Sequence, residues 1–295
     1  MLKFAPALLL LLFAAPATAL AEDKPDLAVV HRIKEQALRS GKVMEHLFWL
    51  TDVNGPRLTG SPGFHSAAEW AVRTLEKWGA TQPRLEPWGR FGRSWAVQRF
   101  ELSLVAPTYA RLGGVPKAWS TGTQGPVSGP LVLAPLFPER ADQDDVLDLA
   151  RLTARLQAYA QTYRGKLRGQ FVLLEPPREL ALPKDGEPLR YDDKKLAELG
   201  QALPTSPAEP YEWPLVRLPR DVKKRHTFIA QLPTEPWFDW VERRRRVFDE
   251  LRRFFKSEGV LGVLSTDDRG DGALVFAEST GAWDESQTLP PASVV

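Results

Sequence analysis

Between Leu47 and Glu86 the chain breaks one helix and starts another, and this stretch constrains the fold more than any other. An apolar run through Leu47 and Leu50 is stopped by Asn54-Gly55-Pro56, a strong turn signal. Ser61 then stands where a helix N-cap is needed, and Pro62 suits the first helical position, where no amide donor is required. Phe64, Ala68, Ala71, Val72, Leu75 and Trp78 follow at helical spacing and predict a buried stripe, closed by Gly79.

The flanking sequence is organised around this turn. Val29, Val30, Ile33 and Ala37 predict a helix over 26–38 that ends at Ser40-Gly41, and Val43, Met44, Leu47 and Leu50 predict a second. Residues 99–105 alternate in the manner of a half-buried strand, and 113–130 read as loop. Short apolar strands are expected at Leu131-Val132-Leu133 and over 169–174. A helix between them carries Val146, Leu149, Leu152, Leu156 and Tyr159 on one stripe over 145–163. Residues 176–236, dense in proline and charge, read as an insertion or long loop. Residues 237–256 predict a helix, apolar at Trp237, Trp240, Val241, Phe248, Leu251 and Phe255, which leads through Gly259 into a strand over 260–264. No internal repeat is visible.

A chain of 295 residues can bury one large core or two modest ones. Its 39 basic and 37 acidic residues nearly cancel, so charge supplies no reason to expect a nucleic-acid partner. Lys3, the leucine run Leu8–Leu12 and the small-residue ending Ala19-Leu20-Ala21 read as a secretory signal cleaved after Ala21. The apolar run is too short for a membrane span. Cysteine is absent, which excludes disulfide stapling, thiolate catalysis and a lipid-modified cysteine. The expectation is a periplasmic or secreted protein held together by core burial, with no membrane association after signal cleavage.

The helix–turn–helix order around Asn54-Gly55-Pro56 and Ser61-Pro62 resembles the entry to the catalytic fold of secreted co-catalytic zinc exopeptidases, the group containing aminopeptidase Y and carboxypeptidase Q. Residues 86–95, with Trp88, Gly89, Gly92 and Trp95, look like the segment that follows the second helix in bacterial members. Gly129-Pro130-Leu131-Val132-Leu133, Tyr163-Arg164-Gly165-Lys166 and the 259–265 segment, in that order, resemble a protease-associated domain. The resemblances cover most of residues 40–280 apart from the proline-rich stretch. They imply an α+β fold: N-terminal helices of an α/β zinc-peptidase followed by a β-rich protease-associated domain with flanking helices. The implied division is a signal peptide at 1–21, peptidase-like helices and strand at 22–107, a protease-associated-like domain at 108–286, and a stub at 287–295 leading into a catalytic segment. In that family zinc supports removal of terminal residues from peptides, and the protease-associated insertion shapes or lids the cleft.

The implied ligands are a His-x-Asp at a strand end, an Asp, a Glu-Glu pair, and later another acid and a His. None of His31, His46, His65 and His226 is followed two residues later by Asp, and no Glu-Glu pair occurs. No catalytic, cofactor-binding or metal-ligating residue is therefore assigned. The expected function is that of the N-terminal portion of an exported zinc-dependent exopeptidase, inactive alone, with zinc and peptide substrate belonging to the full-length enzyme. The alternative is a non-catalytic exported module that binds peptides or proteins. Helices deprived of a covering sheet would expose apolar stripes and self-associate.

The remaining candidates have plainer readings. His65 and Glu69 share a helix face at i and i+4 but lack further ligands, and His46 lies beside an apolar stripe. Ser61 is a helix cap, since Thr59 replaces the first glycine of a nucleophile elbow. Asp144-Asp145, Asp192-Asp193 and Asp267-Asp268 read as caps or solvated turns. Arg243 to Arg246, with Arg252, Arg253 and Lys256, spread around a helix and interleave with Glu242, Asp249 and Glu250, which predicts a solvated face. Among the ten tryptophans, Trp70, Trp78, Trp237 and Trp240 are expected in the core; Trp88, Trp95 and Trp119 are candidates for exposure and for stacking on sugars.

Overall fold

The computed structural model describes residues 25–176, 191–201, 211–266 and 275–295. The segment read as a secretory signal and Asp267-Asp268 lie outside them. The chain is a mixed α+β protein that divides into two compact units, Met1–Val53 and Asn54–Val295.

The first unit holds helix α1 (Leu27–Arg39) and helix α2 (Val43–Phe48), which widens into a π-helical turn at Trp49–Val53. Asp26 caps α1, its carboxylate accepting from the amides of Ala28 at 2.9 Å and Val29 at 3.3 Å. The Thr51 hydroxyl donates back to the Leu47 carbonyl at 2.8 Å within the π turn, where inserted side-chain bonds commonly distort the ladder. No residue of α1 or α2 is buried, and Ile33, at the centre of the α1 stripe, is 62% exposed.

The second unit opens with helix α3 (Pro62–Lys77), capped by Ser61, whose Oγ accepts from the Phe64 amide at 3.2 Å. The predicted buried stripe is not buried. Ala67 alone on α3 is enclosed, while Phe64, Leu75 and Trp78 are exposed. The strand expected over 99–105 shrinks to β1 (Ser103–Leu104), paired antiparallel with β2 (Ala110–Arg111).

The centre of the unit is a parallel sheet. Strands β3 (Leu131–Leu133), β4 (Phe171–Leu173), β5 (Gly262–Leu264) and β6 (Ala292–Val294) lie side by side in chain order. Helix α4 (Leu149–Tyr163) connects β3 to β4, and helix α7 (Thr234–Glu258) leads into β5. Residues 287–295, read from the sequence as a stub leaving the domain, thus supply a sheet strand. Val115 and Val295 extend the sheet by exchanging amide-to-carbonyl bonds at 2.9 and 3.0 Å. With strands this short, helix outweighs strand, 43% to 9%, and the unit is not β-rich.

Val172 and Val263 turn one face of the sheet toward Leu152, Leu156 and Tyr159 of α4 and Leu251 and Phe255 of α7. Period-two strands meeting period-3.6 helices produce this core, and each buried aliphatic side chain contributes about 1.5–3 kcal/mol. The far end of α7 is set by Gly259, whose φ of 72° is the left-handed C-cap that favours glycine. Glu258 Oε2 accepts from the Gly165 amide at 2.7 Å, which joins the end of α7 to the turn after α4.

The stretch read as irregular, 176–236, contains two helices in its described part: α5 (Asp193–Leu199) and α6 (Val222–Gln231). Asp192 and Asp221 cap them through the amides of Lys195 at 2.7 Å and Lys224 at 2.8 Å. Phe228 of α6 packs with Leu149, Leu215, Leu218 and Trp240 in a second cluster. Proline density hid these helices because each is short and its apolar face is narrow.

A third cluster joins distant parts of the chain through Ala118, Trp119, Ala282, Phe91 and Trp283. Arg93 holds it. Its guanidinium donates to the carbonyls of Ala282 (3.0 Å), Asp284 (2.5 Å), Glu285 (2.7 Å) and Gln287 (2.9 Å). Gly92 makes that approach possible: at φ 134°, an added Cβ would collide with the Trp283 carbonyl.

Candidate functional site: an open groove beside helix α4

An open groove of about 780 Å³ lies where the chain leaves β3 and enters α4. Its position, beyond the carboxyl end of a parallel strand, is where open α/β sheets place ligands. Pro135 and Pro138 bend the chain away from the sheet, and residues 140–147 wind as a 3₁₀ helix. Side chains three apart eclipse in that helix, so Asp142 and Asp145 point the same way. Asp148 ends the 3₁₀ turn in extended conformation and caps α4 through the amides of Ala150 at 3.0 Å and Arg151 at 3.1 Å.

The two aspartates meet Arg155 in the second turn of α4. Arg155 donates Nε to Asp145 and a terminal nitrogen to Asp142, both at 2.7 Å, and its guanidinium carbon lies 5.7 Å from the centre of the Phe137 ring. Asp142 also accepts from the Glu139 amide at 3.2 Å. Burial pulls the Arg155 pKa down, but the hydrogen bonds and charges of Asp145 and Asp142 outweigh it, and the net shift is upward. Arg220 closes the same side, 4.0 Å from Asp144.

The other half of the groove is aromatic. Tyr159 and Tyr163 stand one turn apart with ring centres 4.7 Å apart. The Tyr159 hydroxyl donates to the Ala134 carbonyl at 3.1 Å. Burial, then the neighbouring Tyr163, pushes the Tyr159 phenol well above its ordinary pKa, so it stays neutral and serves as a donor, not a base. Thr162 spends its hydroxyl on the Ala158 carbonyl at 2.9 Å. Both acids flanking Arg155 are ion-paired and the phenol is locked. The groove can hold a ligand by stacking, apolar contact and a fixed guanidinium.

The residues weighed from the sequence lie elsewhere. His65 and Glu69 are exposed on α3; Glu69 faces Arg73 at 3.7 Å and His65 packs its ring edge-on to Phe64. His31 and His226 are exposed, and His46 is half-buried on α2. Ser61 is 2% exposed and acts as the cap. Asp192 is a cap as expected, but Asp145 is a partner of Arg155 rather than a solvated turn residue. Among the described residues no group of three or more His, Asp or Glu is placed to hold a metal ion. They therefore do not fit a zinc pair. No described helix is long and apolar enough to cross a membrane.

Two surface expectations need correction. The arginine run of α7 is not a solvated face. Arg243 pairs with Asp239 at 2.8 Å and donates to the Leu215 carbonyl, while Arg245 pairs with Glu242 at 2.8 Å and lies 4.3 Å from the Trp283 ring centre. Arg252 is buried against Asp249 at 3.2 Å. Only Arg246, Arg253 and Lys256 match the solvated reading. Consecutive residues 100° apart on a helix reach different clusters, and this helix is packed on several sides. Among the tryptophans, Trp119 is buried and donates Nε1 to the Arg93 carbonyl at 2.8 Å, and Trp95 is half-buried with its Nε1 on the Ser120 carbonyl at 3.0 Å. Trp78, expected in the core, is exposed, as is Trp88, 82% open.

The Arg155 site was missed because its acids and its cation sit ten and thirteen residues apart in sequence, in two helices of different pitch. The i, i+3 spacing of Asp142 and Asp145 was its one local signal. Comparison of the chain with family models, with curated proteins and with solved structures finds no match.

Proposed function

We propose that this chain is the ligand-binding, non-catalytic part of an exported zinc-dependent exopeptidase: the N-terminal helices and a protease-associated-like domain. In this reading the groove beside α4 receives peptide, and the zinc-holding and water-activating residues are supplied by sequence other than this one. One observation carries the proposal. Strand and helix alternate through β3, α4, β4, α7 and β5, the order expected from the Gly129-Pro130, Gly165-Lys166 and Gly259-Val260 cues, and the groove along that path offers aromatic faces and a fixed guanidinium for recognition. The exposed apolar residues of α1 and α2 support self-association or cover by another segment as part of the same reading.

A free-standing exported peptide-binding module is the second reading. Its support is the same groove, with Arg155 and the Tyr159–Tyr163 pair as the recognition groups. Two measurements separate these readings from each other and from an active peptidase. The purified chain should retain labelled peptides without cleaving dipeptides, and should hold no stoichiometric zinc. Chelator-sensitive dipeptide hydrolysis would overturn both readings. A coding sequence continuing past Val295 into a His-x-Asp and a Glu-Glu segment selects the first reading; an immediate stop codon selects the second.

A further inference from the structure

Arg244 is the exception on α7. Arg243, Arg245, Arg252 and Arg253 each face a carboxylate, at 2.8, 2.8, 3.2 and 2.5 Å, and Arg246 is solvated. Arg244 has none. The positions three and four residues away on its own helix are Trp240, Val241, Val247 and Phe248, so no acid of α7 can reach it. Its guanidinium carbon lies 5.8 Å from the centre of the Trp240 ring and 5.0 Å from that of Phe248. Its Nε is enclosed with no acceptor. One turn back, Trp240 is 4% exposed and its Nε1 is also enclosed without an acceptor.

A half-buried guanidinium remains charged, and burial alone, with no carboxylate to offset it, drives its pKa down. Aromatic faces attract the charge but offer no lone pair in the plane of the N–H bonds. Two unanswered donors at i and i+4 therefore mark one face of α7 that lacks an acceptor. The missing partner should be planar and singly charged. A guanidinium fork matches a carboxylate bidentately, and every other described basic side chain of this face is already paired or solvated, which leaves one positive charge to neutralise.

We propose that Arg244, flanked by Trp240 and Phe248, is a binding site for the carboxylate group of a ligand, separate from the groove beside α4. The carboxylate takes the guanidinium of Arg244, between the Trp240 and Phe248 rings. The inference does not depend on the peptidase reading, because any carboxylate-bearing ligand meets the same chemistry.

The test is a titration of the isotope-labelled full chain with N-acetylglycine, followed through the Nε–H resonance of Arg244 and the Nε1–H resonance of Trp240 in ¹H–¹⁵N spectra. Arg244→Lys and Trp240→Phe assign the two signals. The expected result is a saturable shift of both resonances with N-acetylglycine, no shift with N-acetylglycinamide at the same concentration, and affinity at least tenfold weaker in Arg244→Lys. If the Arg244 resonance does not move, or moves equally with the amide, the proposal is overturned. This outcome is read on the unmutated protein and stands even if a variant fails to fold.

Discussion

Asp249 and Arg252, one turn apart on α7, form an ion pair at 3.2 Å whose side chains are 5% and 8% exposed. Asp249 also accepts from the Thr288 amide at 2.8 Å, and Arg252 donates to the Thr280 carbonyl at 3.1 Å. Burial pulls the Arg252 pKa down, and the charge and hydrogen bond of Asp249 oppose it. The pair thus fastens α7 to the 280–288 segment on the way to β6.

Breaking this pair from one side should be costly. Asp249→Ala leaves a buried guanidinium without its partner, and removing one member of a buried pair costs about 3–5 kcal/mol. Asp249→Leu combined with Arg252→Leu should recover much of that loss. Urea midpoints of Asp249→Leu, Arg252→Leu and the double variant measure the coupling; additive losses would show that the pair does not act as a unit.

Arg93 makes a second, more local prediction. Arg93→Ala removes four hydrogen bonds from a charged donor, each contributing about 1.5–3 kcal/mol, so a loss of at least about 3 kcal/mol is expected even where water replaces part of the set. Arg93→Lys keeps the charge and loses the fork, and should recover only a minor part. Thermal melts check the order, and the change in Trp119 environment should appear in near-ultraviolet dichroism.

Tyr159 predicts an alkaline limit to stability. Its folded-state pKa is raised, so the neutral phenol is the form the fold favours. Its contribution is complete below the unfolded-state value of about 10 and is lost as pH rises through the folded-state value. Tyr159→Phe should cost about 1–3 kcal/mol at neutral pH by stranding the Ala134 carbonyl, and should flatten the fall in urea midpoint above about pH 10. An unchanged alkaline slope in that variant would assign the effect elsewhere.

Peptide capture by the groove should depend on its two halves. Arg155→Ala frees Asp142 and Asp145 from their cation, and Tyr163→Ala removes a stacking face. Each should weaken retention of a fluorescein-labelled decapeptide library by about tenfold, or about 1.4 kcal/mol. Fluorescence polarisation reads the change, and retention by both variants equal to that of the unmutated chain would remove the groove from consideration.

The first unit predicts association. Leu38, 84% exposed, and Met44, 73% exposed, lie in helices without a buried residue. Sedimentation equilibrium at rising concentration should show self-association that Leu38→Glu with Met44→Glu abolishes. Monomeric behaviour of the unmutated chain at every concentration would count against it.

What the sequence determined by itself was local. Ser61 and Asp192 as caps, Pro62 at a helix start and the apolar period of α4 and α7 each act within a turn or two of the chain, where bonding partners are already neighbours. The tertiary structure decided everything that needed a partner from far away. It left α3 with a single buried residue, ran β6 beside β5, turned three consecutive arginines toward different partners, and brought Asp142, Asp145 and Arg155 together. A side chain's period states which face it occupies, but its burial and its ion pairs depend on what packs there, and that is a property of the assembled chain.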